Sequence, residues 1–168
     1  MTRIIGIDPG LRFTGWGVLD AIDNRLRHVA DGVLATDGTD SVPDRLKMLH
    51  DQLQELFVSF APQEAAVEET YVTRNGASTL KLGYARGVAL LAPALAGIVV
   101  AEYGAMTVKR AVVGSGAATK DQVEMMVRRL LPGAVIRRSD ASDALAVAIC
   151  HAHHRATSQR ILSGKRMA

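Results

Sequence analysis

The chain has 168 residues, 48% of them apolar and 22% charged, with a formal net charge of +3. That length and balance fit one globular domain with a sizeable core, and are short for two. One cysteine, Cys150, excludes an internal disulfide framework, and the longest apolar stretch, Val88 to Val100, is too short for a membrane span and is broken by Pro93 and Gly97. A soluble protein of the cytoplasm is expected. In chain order, Arg3 to Asp8 reads as a buried strand stopped by a Pro9-Gly10 turn, followed by strands at Gly15 to Asp20 and Leu26 to Thr36. Their close spacing predicts an antiparallel meander. Ser41 is a good N-cap for a helix whose apolar face holds Leu46, Met48, Leu49, Leu53, Leu56 and Phe57, and Pro62 ends it.

Glu64 to Thr70 is a fourth short apolar run, and the intervening helix predicts that it lies parallel to an earlier strand. Asn75 and Gly76 mark a loop, and Ser78 to Leu95 reads as a long helix with Pro93 near its end. Val99 to Tyr103 or Val108 to Val113 supplies a further strand or two. Thr119 and Gln122 have capping-box spacing at the head of a helix that runs to Pro132-Gly133. A last, Ala-rich helix begins at Ser139 or Asp140. Residues 1–156 are expected to form one α/β domain with a mixed sheet, and 157–168 a basic, disordered tail.

Charge is unevenly spread. Residues 1 to 70 carry twelve acids against six Lys and Arg, whereas Tyr71 to Arg138 carry ten Lys and Arg against three acids. A basic second half suits a polyanion such as nucleic acid, though a solvated surface has the same look.

Four acids end or begin apolar elements: Asp8 and Glu68 close strands, and Asp140 and Asp143 share one face of the last helix. That face continues with Val147 and Cys150, so it points inward. If the first and fourth strands are adjacent and parallel, Asp8 and Glu68 lie side by side where open α/β sheets bind ligands. Clustered carboxylates must protonate or bind a cation, and all-oxygen ligation selects Mg²⁺ or Mn²⁺. Two such ions would serve in-line attack of water on a phosphodiester. Singly, Asp140 or Asp143 is a good helix cap and Asp8 a good acceptor for the turn at Gly10; the acids argue as a set.

The chain resembles the RuvC family of Holliday-junction resolvases, in the ribonuclease H-like superfamily. The stretches that carry the resemblance are "GIDPG" (Gly6 to Gly10), "TGWGV" (Thr14 to Val18), "AVEETYVTRN" (Ala66 to Asn75), "LKLGYARGVAL" (Leu80 to Leu90), "VKRAVVGSGAATKDQV" (Val108 to Val123) and "DASDALAVAICHAH" (Asp140 to His153). The resemblance implies a five-stranded mixed sheet, its first three strands antiparallel, with helices on both faces. It implies a divalent-metal endonuclease, a homodimer that nicks two opposed strands of a four-way DNA junction and cooperates with a branch-migration motor. By position it assigns metal binding to Asp8, Glu68, Asp140 and Asp143, catalytic support to Lys109 and Lys120, and base stacking to Tyr71.

Lys120 falls in the first turn of its helix, a poor place for a cation against the helix dipole, so its charge has another purpose. Arg74, Lys81, Arg86, Arg110, Arg128 and Arg129 are further candidates for phosphate contacts. His151, His153 and His154 have no metal-ligand spacing and read as structural, with a second reading of His151, two turns beyond Asp143, as a neighbour of the site. Leu80, Leu82, Leu90, Leu91 and Leu95 surround the long helix more fully than one sheet face requires, as a two-fold partner would need. Competing readings are a ribonuclease H-like nuclease for RNA–DNA hybrids or transposon ends, an actin-like phosphotransferase, and a non-catalytic junction-binding module.

Overall fold

The computed structural model describes residues 1–168 except Asn24, 70–75 and 166–168, and describes backbone alone for 158–165. Five strands form one sheet: β1 (Thr2–Asp8), β2 (Phe13–Ile22), β3 (Arg25–Ala35), β4 (Glu64–Glu68) and β5 (Val99–Tyr103), in the order β3-β2-β1-β4-β5. The first three are antiparallel, and β4 and β5 run parallel to β1, as expected of the mixed sheet. Five helices complete the fold: α1 (Val42–Phe60), α2 (Gly76–Leu95), α3 (Ala105–Val113), α4 (Lys120–Leu130) and α5 (Ser139–Lys165).

Strand alternation sorts the helices onto two faces. Ile5, Ile7, Val18, Ala65 and Val67 pack against α1 and α2 through Leu49, Leu53, Phe57, Ala85 and Ala89. Ile4, Leu19 and Ala66 face the other way, against α3, α4 and α5, where Val108, Val123, Val127, Leu145 and Ile149 are buried. Cys150 is buried there too, and burial pushes its thiol up to about 12, so it stays protonated and inert.

Local signals set most of the boundaries. The Ser41 hydroxyl accepts from the Asp44 amide, and α1 ends where Ala61 turns left-handed ahead of Pro62. The Thr119–Gln122 capping box forms in full. Val108 to Val113, allowed above as a strand, is helix: Gly104 caps α3, and Val108 and Val112 are buried four residues apart, a helical spacing. α5 continues as helix to Lys165, through much of the stretch that composition assigned to a tail.

At the end of the sheet away from the carboxylates, Asp20 is fully buried and accepts from Arg3 (2.8 Å) and Arg27 (2.5 Å). The Arg3 hydrogen bond is the main reason its carboxyl lies below the ordinary range. Asp20→Ala leaves two guanidiniums without their acceptor and is expected to cost about 2 kcal/mol, read by denaturant unfolding.

Candidate active site

Asp8 follows Ile7, which pairs with Val67, so Asp8 and Glu68 end adjacent parallel strands on the same face. Their carboxyls share a hydrogen bond. α5 lies over that face and runs the opposite way, bringing its first turns to the ends of β1 and β4.

Three glycines permit this approach. Gly6 and Gly17 are paired across β1 and β2, and Gly15 is opposite Asp8. A methyl on Gly15 would run into the Asp140 carbonyl, one on Gly6 into the Ala144 carbonyl, and one on Gly17 would sit 2.5 Å from Leu145 Cγ. The helix therefore rests on bare backbone, and Asp140 and Asp143 reach the strand ends. The structure thus brings together all four acids singled out in the sequence.

The turn after Asp8 is also braced. The Thr14 hydroxyl donates to the Gly10 carbonyl (2.6 Å), and Arg45, buried in α1, donates to the Leu11 carbonyl (3.2 Å) and to the Thr36 hydroxyl (3.0 Å). Arg45 was not singled out in the sequence, where it is one more polar residue within an amphipathic helix.

Among the described residues no three His, Cys, Asp or Glu side chains already form a coordination cage. The negative charge is met in other ways. Lys120 Nζ lies 2.6 Å from Asp143, which answers why a cation starts α4, and an Arg138 nitrogen lies 3.3 Å from Asp140. Burial first, then the charges of Glu68 and Asp143, push the Asp8 carboxyl up to about 8, and burial raises Glu68 as well. So Asp8 holds a proton near neutrality. All-carboxylate donors whose burial, and then mutual repulsion, favour a proton on Asp8 are a fitting seat for a hard divalent cation.

A pH dependence follows. The folded-state value of Asp8 lies above its ordinary 3.8. Its contribution to stability is full below about pH 4 and is lost as pH rises through about 8. In chelator, the Tm of the natural chain is expected to fall across that window relative to Asp8→Asn. Added Mg²⁺ should release a proton near neutrality, measurable by calorimetry in buffers of different ionisation enthalpy.

Lys109 stands beside Glu68. Together with Asp143, Lys120, Ala105, Val108, Val123 and Ala146 they line a cavity of about 240 Å³. The other basic candidates differ. Lys81 and Arg110 are exposed on α2 and α3. Arg86 pairs with Glu102 of β5, and Arg128 with Glu124 and the Ile136 carbonyl. Arg129 is exposed in the last turn of α4. Tyr71 and Arg74 lie outside the described residues.

His151 is remote from the carboxylates and bonds Glu64 through Nε2 (2.7 Å) and the Tyr103 hydroxyl through Nδ1 (2.8 Å). His153 Nδ1 lies 3.1 Å from the Ala111 carbonyl, and the His154 ring is tilted against Tyr103 with centroids 5.2 Å apart. These are structural positions. What the sequence did not show is a cluster on the β2 side of Asp140: Arg12 and Arg138 both stand over the Phe13 ring.

A family profile described as "Crossover junction endodeoxyribonuclease RuvC" matches residues 4–151. A protein of that description from Gluconacetobacter diazotrophicus is 76% identical over 168 residues, all of both chains. Among solved structures, Thermus thermophilus RuvC in complex with a Holliday junction substrate superposes with a TM-score of 0.88. It is 34% identical over 94% of this chain and 97% of that one. The yeast mitochondrial Holliday junction resolvase shares the fold, with a TM-score of 0.68 at 13% identity, over 98% of this chain and 86% of that one.

Proposed function

The chain belongs to the RuvC family of crossover junction endodeoxyribonucleases, and we propose that it resolves four-way DNA junctions by hydrolysing one phosphodiester in each of two opposed strands. The observation that carries this reading is the meeting of Asp8, Glu68, Asp140 and Asp143 at the ends of β1 and β4, with Lys109 and Lys120 beside them. Water attacks the phosphorus and the 3′ oxygen leaves, giving 5′-phosphate and 3′-hydroxyl ends.

The four carboxylates would hold Mg²⁺, two ions per site, with Mn²⁺ able to replace it. Such ions supply activation of water and stabilisation of the leaving oxygen. The chain's own groups do the rest. Asp8 gives up its proton when cations are bound, while Lys109 and Lys120 offset the charge of the phosphate and hold it against the acids. Tyr71 stacks on a base at the opened crossover, and Lys81 and Arg110 add phosphate contacts.

The partner set is a second copy of the chain, four-way junction DNA and a branch-migration motor. Leu80, Tyr84, Leu91 and Leu95 are exposed on α2 and offer the second copy an apolar face. Paired cuts need paired sites, and a two-fold dimer matches a two-fold junction. Among the described residues no helix is long and apolar enough to cross a membrane. Action on DNA suits the bacterial cytoplasm, with residues 1–156 as the nuclease domain and the basic residues beyond as a terminal extension.

The test is cleavage of a synthetic mobile four-way junction, beside linear duplex and an RNA–DNA hybrid, in Mg²⁺, in Mn²⁺ and in chelator. Symmetric metal-dependent nicks confined to the junction are expected. Cutting of the hybrid instead would move the activity to another ribonuclease H-like class. Tight junction binding without a cut in either metal would leave a binding module.

A further inference from the structure

Asp140 and Asp143 are three residues apart on α5, yet their cations come from opposite flanks of the helix. Lys120 reaches Asp143 from the side of β4 and β5, and Arg138 lies by Asp140 on the side of β2. The Arg138 guanidinium carbon is 4.8 Å from the centre of the Phe13 ring, and that of Arg12 is 5.3 Å from the same centre. Phe13 itself is 37% exposed, at the first position of β2.

Two guanidiniums beside one ring repel each other, and a cation over an exposed ring gains little. Burial does not account for this grouping, since Arg12, Phe13 and Arg138 are all exposed. Arg12 and the neighbouring Arg137 have no carboxylate partner among the described residues, and Arg138 has only the 3.3 Å approach to Asp140.

The backbone that carries Arg12 is nevertheless held firmly. Its carbonyl accepts from the Thr36 amide (3.1 Å), and the preceding Leu11 carbonyl accepts from the Thr36 hydroxyl and from buried Arg45. Arg137 and Arg138 continue the basic surface along a groove of about 330 Å³ that also includes Asp31 and Val135. Asp31, in the same groove, is paired with His28 at 2.8 Å.

We propose that Arg12, Phe13, Arg137 and Arg138 form a second DNA-binding wall, which grips the sugar–phosphate backbone of the strand flanking the cut on the β2 side. This inference rests on the resolvase reading and adds to it a site on the side opposite Lys109 and Lys120. A strand laid across the four acids meets strong repulsion, and cations on one side alone would leave half of its path unsupported. Guanidinium forks match phosphate oxygens in pairs, and an exposed ring among them suits a sugar or base face. Arg12, Phe13, Arg137 and Arg138 are all exposed beside an open groove, which suits a polymer backbone laid across the surface.

The experiment is binding of a labelled four-way junction over a range of salt, in chelator so that no strand is cut. The natural chain is compared with Arg12→Ala, Phe13→Ala, the double variant Arg12→Ala/Arg138→Ala, and Lys47→Ala. Lys47, on α1, pairs with Asp51 and serves as a control for lost charge. The slope of log affinity on log salt is expected to flatten by about 0.9 for each phosphate contact removed, and so by about 2 in the double variant. Phe13→Ala should weaken binding at an unchanged slope.

An unchanged slope in both arginine variants overturns the proposal, as does an equal change in Lys47→Ala. Arg12 touches no carboxylate, so if the double variant fails to fold, Arg12→Ala and Phe13→Ala decide. Cleavage by the natural chain in Mg²⁺ is measured alongside. If it cuts junctions while the arginine variants keep the natural slope, the wall fails alone. If it does not cut them, the resolvase reading fails.

Discussion

Asp8→Asn is expected to abolish junction cleavage while leaving junction binding intact and raising the stability of the metal-free protein. The asparagine keeps the shape of the side chain and its hydrogen bond to Glu68, and removes only the charge. Without that charge the site loses affinity for divalent cations at its most enclosed acid, and with it several kcal/mol of transition-state stabilisation, a fall in rate of about 10³-fold or more. Binding depends on cations spread over the surface and should persist. Stability moves the other way because Asp8 is held above its ordinary range by burial and by the charges of Glu68, Asp143 and Asp140. A residue whose ionisation strains the fold is retained where function needs the charge.

Single-turnover cleavage, junction binding in chelator and Tm near pH 8 separate the three effects. Cleavage at the natural rate would remove Asp8 from the site. Lost binding alongside lost cleavage would mean that the substitution disturbed the fold. A lower Tm in chelator would contradict the electrostatic account of the strand end.

Much of this site was legible because its signals are local. A carboxylate that closes an apolar strand is out of place in a core, and Asp8 and Glu68 share that oddity. The Ser41 and Thr119 caps are short-range patterns, and both form. The parallel pairing of β1 and β4 followed from the helix between them. Val108 to Val113 was ambiguous because a short apolar run fits strand and helix alike, and only its packing of Val108 and Val112 against α5 decides. Arg128 and Glu124, four apart on one helix, are a pair that a sequence can show, but Arg86 looked like a free cation because Glu102 becomes its neighbour only in the folded chain. The stack of Arg12, Phe13 and Arg138 was hidden for the same reason, since it joins the start of β2 to the residue before α5. Nor does a sequence reveal that Gly6, Gly15 and Gly17 form one trough. Each reads as a weak strand residue until the register aligns them under a helix.

That trough carries the second large expectation. Gly6→Ala should cost both stability and cleavage, although alanine suits a strand no worse than glycine. The added methyl would collide with the Ala144 carbonyl, and would stand 2.8 Å from the Ala148 amide nitrogen and 3.0 Å from the Ala148 Cβ. Two of these three neighbours are backbone of α5, so no rotamer change relieves the contact, and the helix must lift from the sheet. Overpacking of this kind costs about 1–3 kcal/mol. The lift would also carry Asp140 and Asp143 away from Asp8 and Glu68, and a displacement of about 1 Å at reacting groups lowers rates by about 100-fold. Gly38, with open space where a Cβ would stand, is the matched control: Gly38→Ala should be near neutral in both respects. Denaturant unfolding and single-turnover cleavage of the two variants make the comparison. If Gly6→Ala kept its stability and lost its rate, the helix would be lifting at little cost. If it kept both, α5 would not be seated by the trough, and the placement of its two carboxylates would need a different cause.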